Sequence, residues 1–389
     1  MTNQFQLTEE QQAVFDTADR FGREVLHPLA QKMDDEEWWP SDAFKQMGKL
    51  GLLGTTTDPE YGGAGLDLLS AGLVSQAFGR WNHAMALSWV AHDNLCAHNI
   101  YNNASDAIRK QYLPGLCSGE LVGCLGLTEP GAGSDALGSM RTTAKRDGND
   151  FVINGSKLYI TNGPVADICL LYAKTDPGAG KKGISAFVVE TDNPGFKVAQ
   201  KLIKMGFRGS QTAELVFEDM RVPADNLIGV EDQGHQVVMS GLDYERAMIA
   251  PINLGMAERA LDLAIEWART REQFGQPIGN FQMVQSMIAD MYTEVEVTRS
   301  YVYKVLAECN EASPEEAGRG EIHMKTAASI MKAACMCNKV LDSMVQIHGG
   351  SGYIWESEAN RLYRGNKLLE IGAGTTEVRK MIIARGLLG

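Results

Sequence analysis

A chain of 389 residues, 44% hydrophobic and 22% charged, has the composition of a globular protein and the length for two or three domains. Its formal net charge of -13 leaves no basic footprint for a phosphate backbone, so nucleic acid is not an expected partner. The seven cysteines lack a framework spacing and read as reduced thiols, and neither they nor the seven histidines form a ligand cluster, so no metal is expected.

The N-terminus, "MTNQFQLTEEQQAVFDTADRF", has neither the apolar core of a signal peptide nor an Arg-rich transit pattern. No apolar run reaches the ~18 residues of a membrane span. The expected location is therefore cytoplasmic, or the mitochondrial matrix for a processed eukaryotic chain. Residues 1–124 carry helical periodicity: a first helix capped at Thr8, then helices in "PSDAFKQMGKLGLL", "LLSAGLVSQAFGRW" and "DAIRKQYLPGLCSG", with a loop at "DPEYGGAGLD". From 125 to 233 the hydrophobic period becomes 2, in "DFVING", "ICLLYAKT", "ISAFVVE", "FKVAQ" and "AELVFEDMRVP", each bounded by turn residues. Helical spacing returns over 234–389, in long segments near 235–270, 279–309, 313–349 and 375–387. The expected fold is mainly α with a central β domain.

Several short stretches carry chemistry. "GAGKKG", Gly178 to Gly183, matches the glycine pattern of a dinucleotide fingerprint, but it lies between two strand-like runs with no helix after it and reads as a hairpin loop. "CLGLTEPGAGSD", residues 124–135, combines small residues with Thr128 and Ser134, which suits close approach to a phosphate or a heteroaromatic edge. In "KLYITNG", strand alternation places Tyr159 and Thr161 on one face. Cys335 and Cys337 form a C-x-C on a helix, where positions two apart point to different faces. "EIGAGTTEVRK" runs from a Gly-rich turn into a helix capped by Thr375 or Thr376, whose free N–H groups make an anion or carbonyl site; a plain connection between helices fits equally well.

"GLDYERAMIA", residues 241–250, poses a question of charge. Val238, Leu242, Glu245, Ile249, Ile252 and Met256 form one stripe at helical spacing, with a carboxylate in its middle. An unpaired carboxylate in an apolar site costs several kcal/mol, so Glu245 either pairs with Arg246 or another cation, or serves as a base in a pocket. Pro251, later in the same stretch, is expected to bend the helix.

In chain order, "YGGAG", "LTEPGAGSD", "ITNG", "RTREQFGQPIGNFQ", "QIHGGSGY" and "IGAGTTEVRK" resemble the acyl-CoA dehydrogenases over nearly the whole chain. The resemblance implies an N-terminal helical domain, a middle β domain and a C-terminal four-helix bundle. It further implies a homotetramer that binds FAD, oxidises an acyl-CoA to its 2,3-enoyl-CoA and passes electrons to electron-transfer flavoprotein. It assigns the flavin to Leu125, Gly126, Leu127, Thr128, Gly133 and Ser134, together with Tyr159, Ile160 and Thr161. The pyrophosphate and adenosine end falls to Arg271, Phe274 and Gln282 and to Gln346, Ile347, Gly349 and Gly350, partly across a subunit boundary, with Thr375, Thr376 and Glu377 completing the site. To the substrate it assigns Ser134, Asp243, Tyr244, Arg246, Leu369, Ala373 and Gly374.

Most of the family carries its base as a Glu just before the Gly of the final turn, whereas here Ala373 precedes Gly374. The isovaleryl-CoA branch is similar to this chain in having Ala-Gly there and a catalytic Glu in an "LD-x-ER" segment, the place held by Glu245. On this resemblance Glu245 is the base for the α-proton, and the Ala373 N–H with a flavin ribityl hydroxyl stabilises the enolate oxygen. Leu369 replaces the branch's usual Tyr, Tyr159 a usual Trp, and Gly365 a common Asp. Leu369, with Trp89 and Val90 on the helix expected to line the acyl pocket, leaves longer or differently branched acyl groups, such as citronellyl, open.

Overall fold

The computed structural model describes residues 7–311 and 320–389. Helix α1 (Glu9–Phe21) starts where the sequence signals it: the Thr8 side chain accepts the Gln11 N–H while the Gln11 side chain accepts that of Thr8. A π-helical segment, Gly22–Leu26, continues into α2 (His27–Glu36), followed by α3 (Ser41–Lys49) and α4 (Leu68–Trp81). Then come α5 (His83–Val90), a π-helical run Ala91–His98, α6 (Asn99–Asn103) and α7 (Asp106–Ser118). The stretch from α5 through Ala91–His98 was not legible from periodicity, because nearly every residue in it is buried and no polar stripe marks a solvent face.

The middle segment is one sheet of eight strands. They are β1 (Gly123–Gly126), β2 (Thr143–Asp147), β3 (Asp150–Thr161), β4 (Ile168–Lys174), β5 (Ile184–Glu190), β6 (Phe196–Lys201), β7 (Thr212–Pro223) and β8 (Leu227–Ile228), in the order β6-β7-β3-β2-β4-β5-β8, with β1 parallel to β4. Strands β3 to β7 occupy the five alternating runs. β1 and β2 did not show in the pattern: β1 is short, and β2 presents mostly exposed polar side chains. "GAGKKG" forms a 3-10 turn between the antiparallel β4 and β5, with no fingerprint helix after it. β4 is buried on both faces, Leu170 and Tyr172 toward a cluster with the Ala91–His98 run, α6 and α7, Cys169 and Leu171 toward the other side of the sheet.

Helix α8 (Gly234–Thr270) leads through the small hairpin β9 (Glu272–Gln273) and β10 (Gln276–Pro277) into α9 (Gln282–Glu311). α10 (Gly320–His348), α11 (Gly350–Tyr353), α12 (Glu358–Asn366) and α13 (Thr376–Leu388) follow; the earlier part of the helix expected from 313 lies outside the described residues. α8 and α10 run parallel, since His323 meets Asp243 at one end and His348 stacks on Trp267, ring centroids 5.0 Å apart, at the other. α4 crosses α8 so closely that a Cβ on Gly255 would lie 2.0 Å from the Gln76 carbonyl oxygen. Pro251 sits inside α8 without interrupting it. Among the described residues no helix is long and apolar enough to cross a membrane, and all seven cysteines are free thiols.

Candidate active site

Glu245 lies in the first third of α8, on a stripe whose other members pack into the core; Val238, Ile249, Ile252 and Met256 are all buried. Burial pushes its carboxyl up to about 7, with Arg246 and Arg379 pulling the other way. Neither arginine forms an ion pair with it. Arg246 turns instead to Asp243, Nη1 to Oδ1 3.3 Å, and its Nε donates to the Ala373 carbonyl at 3.3 Å. Arg379, fully buried, donates to the carbonyls of Leu369, at 3.0 Å, and Gly372.

Arg246 thus ties the turn Ile371–Gly374 to α8, and Arg379 ties it to α13. Ala373 and Gly374 both take left-handed backbone conformations, φ 55° and 88°, so the chain reverses tightly before α13. Among the described residues the Ala373 N–H has no acceptor. Thr375 is the cap, accepting the Val378 N–H at 3.3 Å, and Thr376 bonds back to the Glu370 carbonyl. Glu377, in the first turn, is held below the usual carboxylate range by its own N–H and the Thr375 hydroxyl. The nearest carboxylate in the chain before the turn, Glu370, is engaged by Asn338 and Lys367.

The loop after β1 is built on a buried ion pair that sequence reasoning missed. Lys157 Nζ lies 2.8 Å from Glu129 Oε1 and 3.1 Å from the Leu127 carbonyl, while Glu129 accepts the N–H groups of Arg141 and Thr142 at 2.6 and 3.0 Å. Burial alone would raise the Glu129 pKa; Lys157 and Thr142 outweigh it and hold it low, and burial brings Lys157 down to about 8. The signal was present: Lys157 shares the inward parity of Phe151 and Ile153. Beyond this anchor Gly133 and Ser134 are exposed, and nothing lies within 4 Å of where a Gly133 Cβ would stand.

Strand alternation does not describe Tyr159 and Thr161 as expected. The β3/β7 register slips between Lys157 and Ile160, and Tyr159 has φ 63°, so the period of 2 breaks there. Tyr159 stands 66% exposed beside the buried Ile160. Leu125 and Leu127 pack on the same cluster as Leu242, one turn before Glu245, which brings the loop after β1 alongside this end of α8.

Arg271, Phe274, Gln282, Gln346, Gly349 and Gly350 gather at the other end of the bundle, all exposed, Phe274 by 93%. Ile347 differs: its side chain is in the core, so it offers a ligand only its backbone. Leu369, Trp89 and Val90 are likewise core residues, and Trp89 Nε1 donates to the Leu52 carbonyl at 2.6 Å. From Glu245 to Thr270, α8 rises roughly 37 Å. Within this chain the two groups of residues expected to hold the cofactor therefore stand apart.

Known proteins place this arrangement. Residues 8–120, 124–220 and 232–388 match the N-terminal, middle and C-terminal domains of acyl-CoA dehydrogenases. A mitochondrial isovaleryl-CoA dehydrogenase from Pongo abelii is 44% identical over 97% of this chain and 89% of its own. A mitochondrial 2-methylacyl-CoA dehydrogenase from Solanum tuberosum is 41% identical over 98% and 91%. A solved FAD complex of PigA superposes with a TM-score of 0.92 at 29% identity, covering 98% of both chains. The chain belongs to the acyl-CoA dehydrogenase family. Its cofactor is FAD, and the residues present fit it: the open glycines 133, 349 and 350 allow close approach, and Tyr159 and Phe274 offer exposed rings.

Proposed function

We propose that this acyl-CoA dehydrogenase acts on a short branched acyl-CoA, converting isovaleryl-CoA to 3-methylcrotonyl-CoA in leucine catabolism, with Glu245 as the base. The observation that carries the reading is a half-buried carboxyl on α8, raised to about 7, without an ion pair among the described residues, beside a turn that contributes no carboxylate of its own. A thioester α-proton is weakly acidic, so its removal needs a desolvated base whose pKa lies near the working pH. The unpartnered Ala373 N–H supplies a donor for the developing enolate oxygen. Bound FAD supplies the acceptor for the β-hydrogen, which leaves as hydride while the α-proton goes to Glu245.

In this reading Leu125 to Thr128, Gly133, Ser134 and Tyr159 to Thr161 hold the flavin end, and Thr375 to Glu377 close the same site. Arg271, Phe274, Gln282 and Gln346 to Gly350 reach the dinucleotide end of a neighbouring subunit's site, within a homotetramer. The roughly 37 Å of α8 between Glu245 and Thr270 supports that division. Electron-transfer flavoprotein is the acceptor the family uses and the one assigned here.

The 2-methylacyl relative, at 41% identity, favours a second reading in which the branch sits on the α-carbon. Anaerobic titration with isovaleryl-CoA, a 2-methylacyl-CoA, octanoyl-CoA and citronellyl-CoA, followed by flavin absorbance, decides between them. Bleaching by isovaleryl-CoA in preference to the others is expected. Preferential bleaching by another member of the panel replaces the substrate, and a bound flavin that none of them bleaches removes the activity.

A further inference from the structure

Asp243 and Arg246 were expected to face substrate, yet both side chains are only 4% exposed, and among the described residues they engage each other and His323 of α10. His323 Nδ1 lies 2.7 Å from Asp243 Oδ1 and 3.3 Å from Arg246 Nη1. A ring nitrogen that close to a carboxylate oxygen must carry the proton and donate it, because two facing lone pairs would repel. Nδ1 therefore cannot also accept from Arg246. Imidazole and guanidinium converge as two donors on one carboxylate oxygen. Arg246 in turn donates to the Ala373 carbonyl, so a continuous chain runs from His323 through Asp243 and Arg246 to the turn whose next residue, Gly374, is also left-handed.

We propose that His323 is a positioning residue: by fixing the Asp243 carboxylate it fixes Arg246, and through Arg246 the Ala373–Gly374 turn that presents the N–H to the thioester. The catalytic half of the proposal rests on the dehydrogenase reading above; the structural half does not. The same network explains why Arg246 leaves Glu245 unpaired. A guanidinium held by Asp243 on one side and a backbone carbonyl on the other has no freedom to swing to its neighbour.

The test compares His323→Leu, which removes the donor, with His323→Asn, whose amide places an N–H near the position of Nδ1. Hydrogen exchange of the FAD-loaded protein, read on peptides covering 369–377, is expected to speed up about tenfold in H323L, the scale of losing one hydrogen bond to a charged group, and to return most of the way in H323N. The flavin reduction rate at saturating acyl-CoA should fall by a similar factor in H323L, with the KM little changed. Unaltered exchange at the turn in H323L overturns the proposal. So does a uniform rise across α8 and α10, which means His323 only packs. If exchange responds as expected while no acyl-CoA reduces the wild-type flavin, the positioning role stands and the dehydrogenase reading fails.

Discussion

The two ends of helix α8 are built on different plans. Around Glu245 every charged neighbour is committed: Arg246 to Asp243 and Ala373, Arg379 to two carbonyls, Glu370 to Asn338 and Lys367. Around Arg271 the side chains stand in solvent, with the Phe274 ring edge-on to Phe281, centroids 6.1 Å apart. One end is finished within a single chain. In the proposed assembly the other displays residues that acquire a purpose only against a second surface. The contrast teaches where electrostatic work is done: a raised carboxyl needs a closed shell of neighbours, whereas phosphate and adenine contacts can be offered from an open one.

The largest expected effect is on the closed end. Glu245→Gln should keep FAD bound while the rate of flavin reduction by acyl-CoA falls about 10³-fold, within the range for loss of a general base; stopped-flow absorbance measures it, and a near-normal rate would move the base elsewhere. In the wild type that rate should climb about tenfold per pH unit below 7 and level off above, because only ionised Glu245 accepts the proton.

Next comes the anchor under the loop after β1. Lys157→Met leaves Glu129 buried beside an apolar chain and should cost about 3–5 kcal/mol, read as a large fall in Tm with loss of FAD. A Tm within a degree or two of wild type would show that the loop does not depend on the pair.

A smaller effect has the opposite sign. The Glu245 pKa rises from an ordinary 4.5 to about 7 on folding, so the folded chain binds the proton more tightly than the unfolded one. Stability from this group is intact below about pH 4.5 and is lost as pH rises through 7. Glu245→Gln should therefore be more stable than wild type at pH 8, by up to about 3 kcal/mol, and little different at pH 4.5; urea titrations at the two pH values compare them. The smallest effect is expected at the open end. Phe274→Ala should leave subunit stability within about 0.5 kcal/mol yet weaken FAD retention, and a marked fall in Tm would mean the ring already packs within its own chain.

Much of this was legible in the residues. The stripe through Glu245 stood out because one carboxylate interrupted an apolar helix face, and the five alternating runs became β3 to β7. What stayed hidden has physical reasons. Helix α5 and the Ala91–His98 run are buried nearly all round, so amphipathic period gives no cue. The Tyr159 bulge is a register shift, which alternation cannot anticipate. The His323 contact joins residues 80 apart, a distance over which no local pattern reports. The inward lysine of β3 was the exception: Lys157 could be read from its parity, as a polar group at a core position that must find a partner.

The length of α8 has a mechanical corollary. In the proposed assembly one rod carries a base for its own catalytic centre and a hairpin for its neighbour's, and buried glycine contacts with α4 resist its bending. Strain entering at either tip is then transmitted rather than absorbed. Filling one centre with cofactor would stiffen the support of the next, so partly loaded enzyme should gain its later FAD molecules more readily than its first.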